Sequence, residues 1–304
     1  MKKICVTGGN GLLGVKLLAE ASGKYALISV DLQNDPLFDF EQMEYIQGDI
    51  TQREAISDII ADVRPDCVIH TAAFTYVDRC ESEKETARKV NVEGARNVAL
   101  VCRSLNIKMI HISSDYVFDG ENGPYDEEAD PRPISFYGRT KWESEKEVSA
   151  ILKNNVIART TVLYGYFPGV RPNFVTWLID QLSRGKSVSI VNDQFGTPTL
   201  ADDLAVALLA LFEKDKQGVF NTVGSEWIGR LEFAKKIAEV FGLDANLIRE
   251  TTSDQLQQPA PRPLKGGLKI DKIYRETGFM FSSVSEGLQK LKRQMTEKDS
   301  VYKK

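Results

Sequence analysis

The chain has 304 residues, 42% of them apolar and 27% charged, enough for one large domain or two modest ones with a substantial core. Its 39 basic and 43 acidic side chains leave a net charge of −4 and are scattered rather than blocked, so no nucleic-acid partner is expected. No apolar run approaches a membrane span, and Met1–Thr7 is too short an apolar stretch for a signal peptide, so no membrane partner and a cytoplasmic location are expected.

The predicted elements open with a strand over Lys3–Thr7, a helix from Gly11 to about Ala21 and a strand over Ala26–Val30. A third strand ends before Gly48-Asp49-Ile50, and helix 52–63, strand 66–71, helix 84–105 and strand 108–113 continue the alternation. Strands joined by helices of this length need parallel crossovers. The fold class expected is therefore α/β, a Rossmann-type doubly wound parallel sheet. Gly120–Pro133 breaks into Gly, Pro and acid and reads as a long functional loop, followed by a helix from about Phe136 to Leu152 and a sixth strand over Val156–Thr160.

Beyond Thr161 the regularity weakens. Two Pro/Gly-rich stretches, Tyr164–Pro172 and Gln257–Gly267, flank helical segments near 173–184, 201–213, 229–241 and 283–295. The domains expected are a dinucleotide-binding Rossmann unit over 1–160, with 187–222 returning to it, and a smaller substrate-binding unit over 161–186 and 223–304. Within 187–222, the strand near Val188–Val191 and the helix near Asp202–Phe212 are the pieces expected at the sheet, and the tail Glu297–Lys304 is expected to fray. Cys5, Cys67, Cys80 and Cys102 lie far apart with no C-x-x-C pair, which suits buried free thiols in a reducing compartment.

Thr7-Gly8-Gly9-Asn10-Gly11-Leu12-Leu13-Gly14 places glycines at 8, 11 and 14 between the first strand and helix. A pyrophosphate site needs this: a tight first turn, a backbone that the anion can approach, and a helix packed closely on the sheet with its free N–H groups outward. The glycine pattern alone is a weak signal. Its place in a β-α-β unit strengthens it, as does Asp31 at the end of the second strand, placed to accept the ribose hydroxyls of NAD(H) and to repel the 2′-phosphate of NADP(H). Asp49 is a candidate for the adenine amino group with Ile50 against the ring, although a helix N-cap explains Asp49 nearly as well. The candidate cofactor residues are Gly8, Asn10, Gly11, Leu12, Leu13, Asp31, Asp49, Ile50, Thr71, Ala72, Ala73, Thr75, Tyr137 and Lys141.

Tyr137 and Lys141 stand four apart on a predicted helix, so both project from one face, and an adjacent cation favours the ionised phenol. About one such pair is expected by chance in a chain of this composition, so the context decides. Ser114 supplies it, in Ser113-Ser114-Asp115-Tyr116 at the carboxyl end of a strand, where open α/β sheets bind ligands. A hydroxyl there can bond a carbonyl oxygen while Tyr137 protonates the developing alkoxide. Ser114, Tyr137 and Lys141 are the candidate catalytic set. His70 and His111 fall on buried-looking strands and read as core residues, and no spacing suggests a metal site.

Seven segments, Gly8–Gly14, His70–Asp78, Asn91–Ala95, Ser113–Gly120, Tyr137–Lys141, Arg159–Gly165 and Asn192–Thr199, together resemble the extended short-chain dehydrogenases/reductases. Within them the chain is most similar to the dTDP-4-dehydrorhamnose reductase family, over nearly its whole length. The resemblance implies NAD(P)H-dependent reduction of a 4-keto nucleotide-linked deoxy sugar, with hydride from the nicotinamide and a proton from Tyr137. It gives Ser114 the hydroxyl role, puts Lys141 on the nicotinamide ribose, and lines the sugar pocket with Thr75, Val77 and Asp78. Many of these reductases carry Trp where Val162 stands, so the resemblance leaves the keto-sugar itself open.

The candidate substrate contacts are Thr75, Val77, Asp78, Ser114, Tyr116, Asn173 and Arg262, the last because a guanidinium between stiff prolines suits a diphosphate. A nucleotide sugar and a second copy of the chain, as a homodimer, are the partners expected. Two other readings compete. A nucleotide-sugar dehydratase or epimerase is disfavoured because Asp115 is followed by Tyr116 rather than a second acid. The regulatory subunit of methionine adenosyltransferase is also similar, through Ile112–Gly120 and an aliphatic residue at the Val162 position, whereas Thr75–Asp78 and Asn192–Thr199 look more like the reductases.

Overall fold

The structure, a computed structural model, describes residues 1–296; the expected frayed tail lies outside the described residues. A parallel sheet of seven strands dominates it: β1 (Lys3–Thr7), β2 (Ala26–Asp31), β3 (Met43–Gln47), β4 (Cys67–His70), β5 (Lys108–Ser114), β6 (Asn155–Thr160) and β7 (Gly218–Asn221). Their spatial order is β7-β6-β5-β4-β1-β2-β3. The chain winds outward from β1 to β3 and then restarts on the other side with β4, so the crevice between β1 and β4 at their carboxyl ends is the topological switch point.

Alternation along each strand feeds two cores. Ile4 and Val6 of β1 pack with Leu17 of α1 (Leu12–Ala21), while Cys5 faces Ile60 of α2 (Arg53–Val63) and Val98 of α3 (Ala95–Leu105). Each fully buried Leu or Ile contributes roughly 1.5–3 kcal/mol, and both faces are covered, as an all-parallel sheet requires. The helix expected over 84–105 is interrupted: 84–88 is α-helical, Lys89–Gly94 winds as a π-turn, and α3 resumes the α-helix. Periodicity alone reads this as one helix. The widening brings buried Asn91 over the 71–76 loop, where it accepts from Phe74 N (2.7 Å) and donates to Thr140 Oγ1 (3.0 Å).

Helix α4 (Phe136–Ile151) lies against β5 and β6 and carries Tyr137 and Lys141 on its buried face. Residues 187–222 divide. Val188–Val191 does not join the large sheet; it pairs in parallel with Ile248–Thr251, because its apolar side chains face α5 (Phe174–Ser183) and α7 (Arg230–Phe241). Helix α6 (Ala201–Glu213) packs on α1, and Gly218–Asn221 extends the sheet beside β6. Helix α8 (Val284–Thr296) completes the second core through Leu288 and Leu291. Among the described residues no helix is long and apolar enough to cross a membrane.

Candidate active site

At the switch point the phosphate loop is tight by construction. Gly8 has φ +80°, and a Cβ there would sit 2.7 Å from Ala72 N and 2.9 Å from Thr71 Oγ1, so Thr71 and Ala72 press directly on the loop. A Cβ on Gly14 would stand 2.3 Å from Gly8 O, whereas one on Gly11 would meet only Gly8 O at 3.2 Å. Gly14 therefore serves helix-to-loop packing and Gly11 borders open space. No side chain caps α1, leaving the N–H groups of Leu12 and Leu13 for an anion.

Asp31 ends β2 with its carboxylate accepting from Asn10 N (3.0 Å) and Gln33 N (3.4 Å). The Asn10 side chain is spent on the loop that follows, accepting from Leu37 N (2.9 Å) and donating to Gln33 Oε1 (2.9 Å) and Asp35 O (3.0 Å). Thr71 donates to Thr7 O (2.8 Å) and ties β4 to the phosphate loop. Asp49 accepts from Thr51 N (2.8 Å) at the entry to α2, and Ile50 is buried against Gly94.

Ser114 is the last residue of β5, its Oγ accepting from Tyr116 N (3.2 Å) and donating to Asp115 Oδ1 (3.3 Å). The Tyr137 phenol lies near the same hydroxyl, which favours its ionised form. Burial pushes the phenol above its ordinary value and outweighs the effect of Ser114, so Tyr137 is held protonated, as a proton donor must be. The lowering by Lys141 expected from their spacing is not found: burial dominates, and the contact that lowers the phenol comes from Ser114. Burial in turn pushes Lys141 down to about 8, with Glu145 opposing the fall. Asp115 is raised to about 6 by burial, against bonds from Thr161, Gly267 N and Ser114. Ser113 faces the other way, its hydroxyl buried without a partner, and His70 and His111 stack at 5.3 Å in the core beneath.

The candidate substrate residues fall on two sides of the cleft and already touch. Arg262 Nη2 donates to Asp78 Oδ1 (2.9 Å) and its Nη1 to Ala260 O (3.0 Å); Arg171 Nη2 donates to Thr75 Oγ1 (2.5 Å). Val77 packs in the cluster around Tyr137, and the Tyr116 ring meets Tyr137 edge-on at 5.6 Å. Asn173 is instead the N-cap of α5, accepting from Val175 N and Thr176 N and donating to Gly165 O (2.7 Å). The capping box Asn173-x-x-Thr176 is legible in the sequence.

Arg230 is not revealed as a site residue by sequence reasoning. It opens α7, lines a pocket with Asp115, Tyr116, Phe195 and Pro263, stacks on Phe174 (4.7 Å), and has no carboxylate ion pair among the described residues. A helical Arg is ordinarily solvated, so nothing in the pattern singled it out. Val162 lines the same pocket with φ +43°, a strained backbone for a β-branched residue, held by Thr199 N donating to its carbonyl (3.2 Å).

The model of the RmlD substrate binding domain family matches residues 1–297. The chain belongs to that family. Among its relatives, a probable low-salt glycan biosynthesis reductase of Haloferax volcanii is 34% identical over 97% of this chain and 99% of its own. The solved dTDP-4-dehydrorhamnose reductase of Bacillus anthracis, in complex with NADP, superposes with a TM-score of 0.87 at 31% identity, covering 97% of this chain and all of that one. The family is not uniform in name: methionine adenosyltransferase 2 subunit beta of Rattus norvegicus is 32% identical over 90% of this chain and 81% of its own. RmlD-family membership thus accounts for the fold.

Proposed function

We propose that this protein is an NAD(P)H-dependent reductase of a 4-keto nucleotide-linked deoxy sugar. The observation that carries the reading is the Ser114–Tyr137 hydroxyl pair at the carboxyl end of β5, between the phosphate loop and the arginine-flanked pocket. Leu12 and Leu13 N–H groups would hold the pyrophosphate, Asp31 the adenosine ribose and Lys141 the nicotinamide ribose; reduced nicotinamide supplies hydride. Ser114 orients the carbonyl oxygen, and Tyr137 gives it a proton. Cofactor binding is assigned to 1–160 with α6 and β7, and the sugar nucleotide to 161–186 and 223–304, with Val188–Val191 on that side. Cytoplasmic residence and a homodimer belong to the same proposal.

Turnover of keto-sugar nucleotides with NADH and NADPH, followed by loss of nicotinamide absorbance, tests the reading. Val162 and the methionine adenosyltransferase relative favour one alternative, a cofactor-binding regulatory subunit, which would bind the dinucleotide without oxidising it. On cofactor choice, Asp31 and Asp35 flank a turn with no cation between them, so NADH is expected to serve at least as well as NADPH. Paired kinetics showing more than about a tenfold NADPH preference, roughly 1.4 kcal/mol, would overturn this.

Arg230 and Arg262 both lie near Tyr116, a grouping that suits a diphosphate. Arg230→Ala and Arg262→Ala should each raise KM for the sugar nucleotide about tenfold or more, with kcat less affected. An unchanged KM for Arg262→Ala would leave that residue its ties to Asp78 and Ala260 O.

A further inference from the structure

Beneath the reaction centre lies an ion pair that the chemistry described so far does not use. Tyr137, Lys141 and Glu145 are spaced four apart on α4, all on its buried face, so the Glu145 carboxylate follows Lys141 by one helical turn. Glu145 is 2% exposed, and Arg159 of β6, equally buried, grips it from the side: Nε to Oε1 is 3.0 Å and Nη2 to Oε2 is 2.7 Å. Arg159 stands opposite Ser113 in the sheet, one residue before Thr160, which stands opposite Ser114. The pair is thus built into the floor of the site.

A fully buried ion pair gives little net stability over apolar packing, so its placement calls for another explanation. Lys141 supplies one. It is 3% exposed, and no carboxylate pairs with its ammonium among the described residues, so burial works against its charge. Resting on the reductase reading, we propose that Glu145, fixed by Arg159, is a positioning residue that keeps Lys141 charged at the reaction centre.

The surroundings leave Glu145 this task. Facing Lys141 from the sheet are His70 of β4 and His111 of β5, both held neutral by burial and by Lys141 itself, with His70 down to about 3. Tyr137, from the preceding turn of α4, is protonated; Asp115, in the turn after β5, is engaged with Ser114 and Gly267 N. From the π-turn comes uncharged Asn91. The flanking charges are spent on the outside: Arg88 pairs with Glu143, Arg96 of α3 with Glu147, and Glu81 accepts from Phe136 N. Glu145 is the carboxylate that favours the Lys141 charge, and Arg159 aims it by gripping both oxygens.

The test is the titration of Lys141, read by NMR of protein labelled with 13C at the lysine Cε and assigned by loss of the signal in Lys141→Met. Glu145→Gln and Glu145→Gln/Arg159→Gln are compared with the parent protein. The double variant matters because Glu145→Gln alone strands the buried Arg159 guanidinium and can fail to fold, whereas the double variant removes both charges of the pair. In both, the Lys141 midpoint should fall from about 8 by about one pH unit or more. The kcat/KM profile should move with it, while KM for the sugar nucleotide stays unchanged. A midpoint in the double variant equal to that of the parent would overturn the proposal and leave the pair a packing device. The titration needs no turnover, so it decides this role even if no keto-sugar is reduced.

Discussion

Tyr137→Phe is expected to lower kcat by about 10²–10⁴-fold while leaving dinucleotide affinity and the fold nearly unchanged. A carbonyl oxygen that gains charge needs a proton, and the proposed donor is the Tyr137 phenol, kept protonated by burial. Removing the hydroxyl keeps the ring in its cluster with Val77, Phe74 and Tyr116, so packing barely alters. Lys141→Met should weaken cofactor binding as well as rate. Ser114→Ala should lower kcat with less effect on cofactor affinity, and Ser113→Ala should do little, its hydroxyl lying buried away from the cleft. Steady-state kinetics on the four variants, with cofactor affinity from nicotinamide fluorescence, make the comparison. Near-normal kcat in Tyr137→Phe would remove the proposed proton donor.

Much of the centre is legible because it depends on local spacing. Four residues on one helix put Tyr137 and Lys141 on one face, and a serine ending an apolar run puts Ser114 at the sheet's carboxyl edge. What is illegible depends on distant partners. Asp78 and Arg262, 184 positions apart, meet only because the Pro-rich segment after 256 folds back over the cleft. Arg230 gains its meaning from Phe174 and Tyr116, neither near it in sequence.

The same division runs through the fold. The strands and helices from β1 to β6 repeat a pattern long enough to read, whereas Gly218-Val219-Phe220-Asn221 is too short to identify as a strand until β6 lies beside it. Val188–Val191 has the right composition for the large sheet, but composition does not choose the partner. The π-turn at 89–94 escapes because one extra residue per turn leaves the apolar periodicity on either side intact.

Gly14→Ala and Gly11→Ala should both impair dinucleotide binding, for different reasons that stability measurements separate. At Gly14 the new methyl would lie 2.3 Å from Gly8 O and 2.7 Å from Gly9 O, both backbone atoms of the phosphate loop. These cannot rotate away, so loop and α1 must part, at a cost of about 1–3 kcal/mol and with the anion-facing N–H groups displaced. At Gly11 the backbone is ordinary, φ −74°, and the methyl meets one atom at 3.2 Å, so stability should change by no more than about 0.5 kcal/mol. The methyl would nevertheless enter the space proposed for the pyrophosphate at the helix N-terminus, and affinity should fall about tenfold or more. Denaturant unfolding and cofactor titration on both proteins give the two quantities. Full cofactor affinity in Gly11→Ala would mean that the phosphates do not pass over this glycine, and the assignment of the Leu12 and Leu13 N–H groups would fall with it.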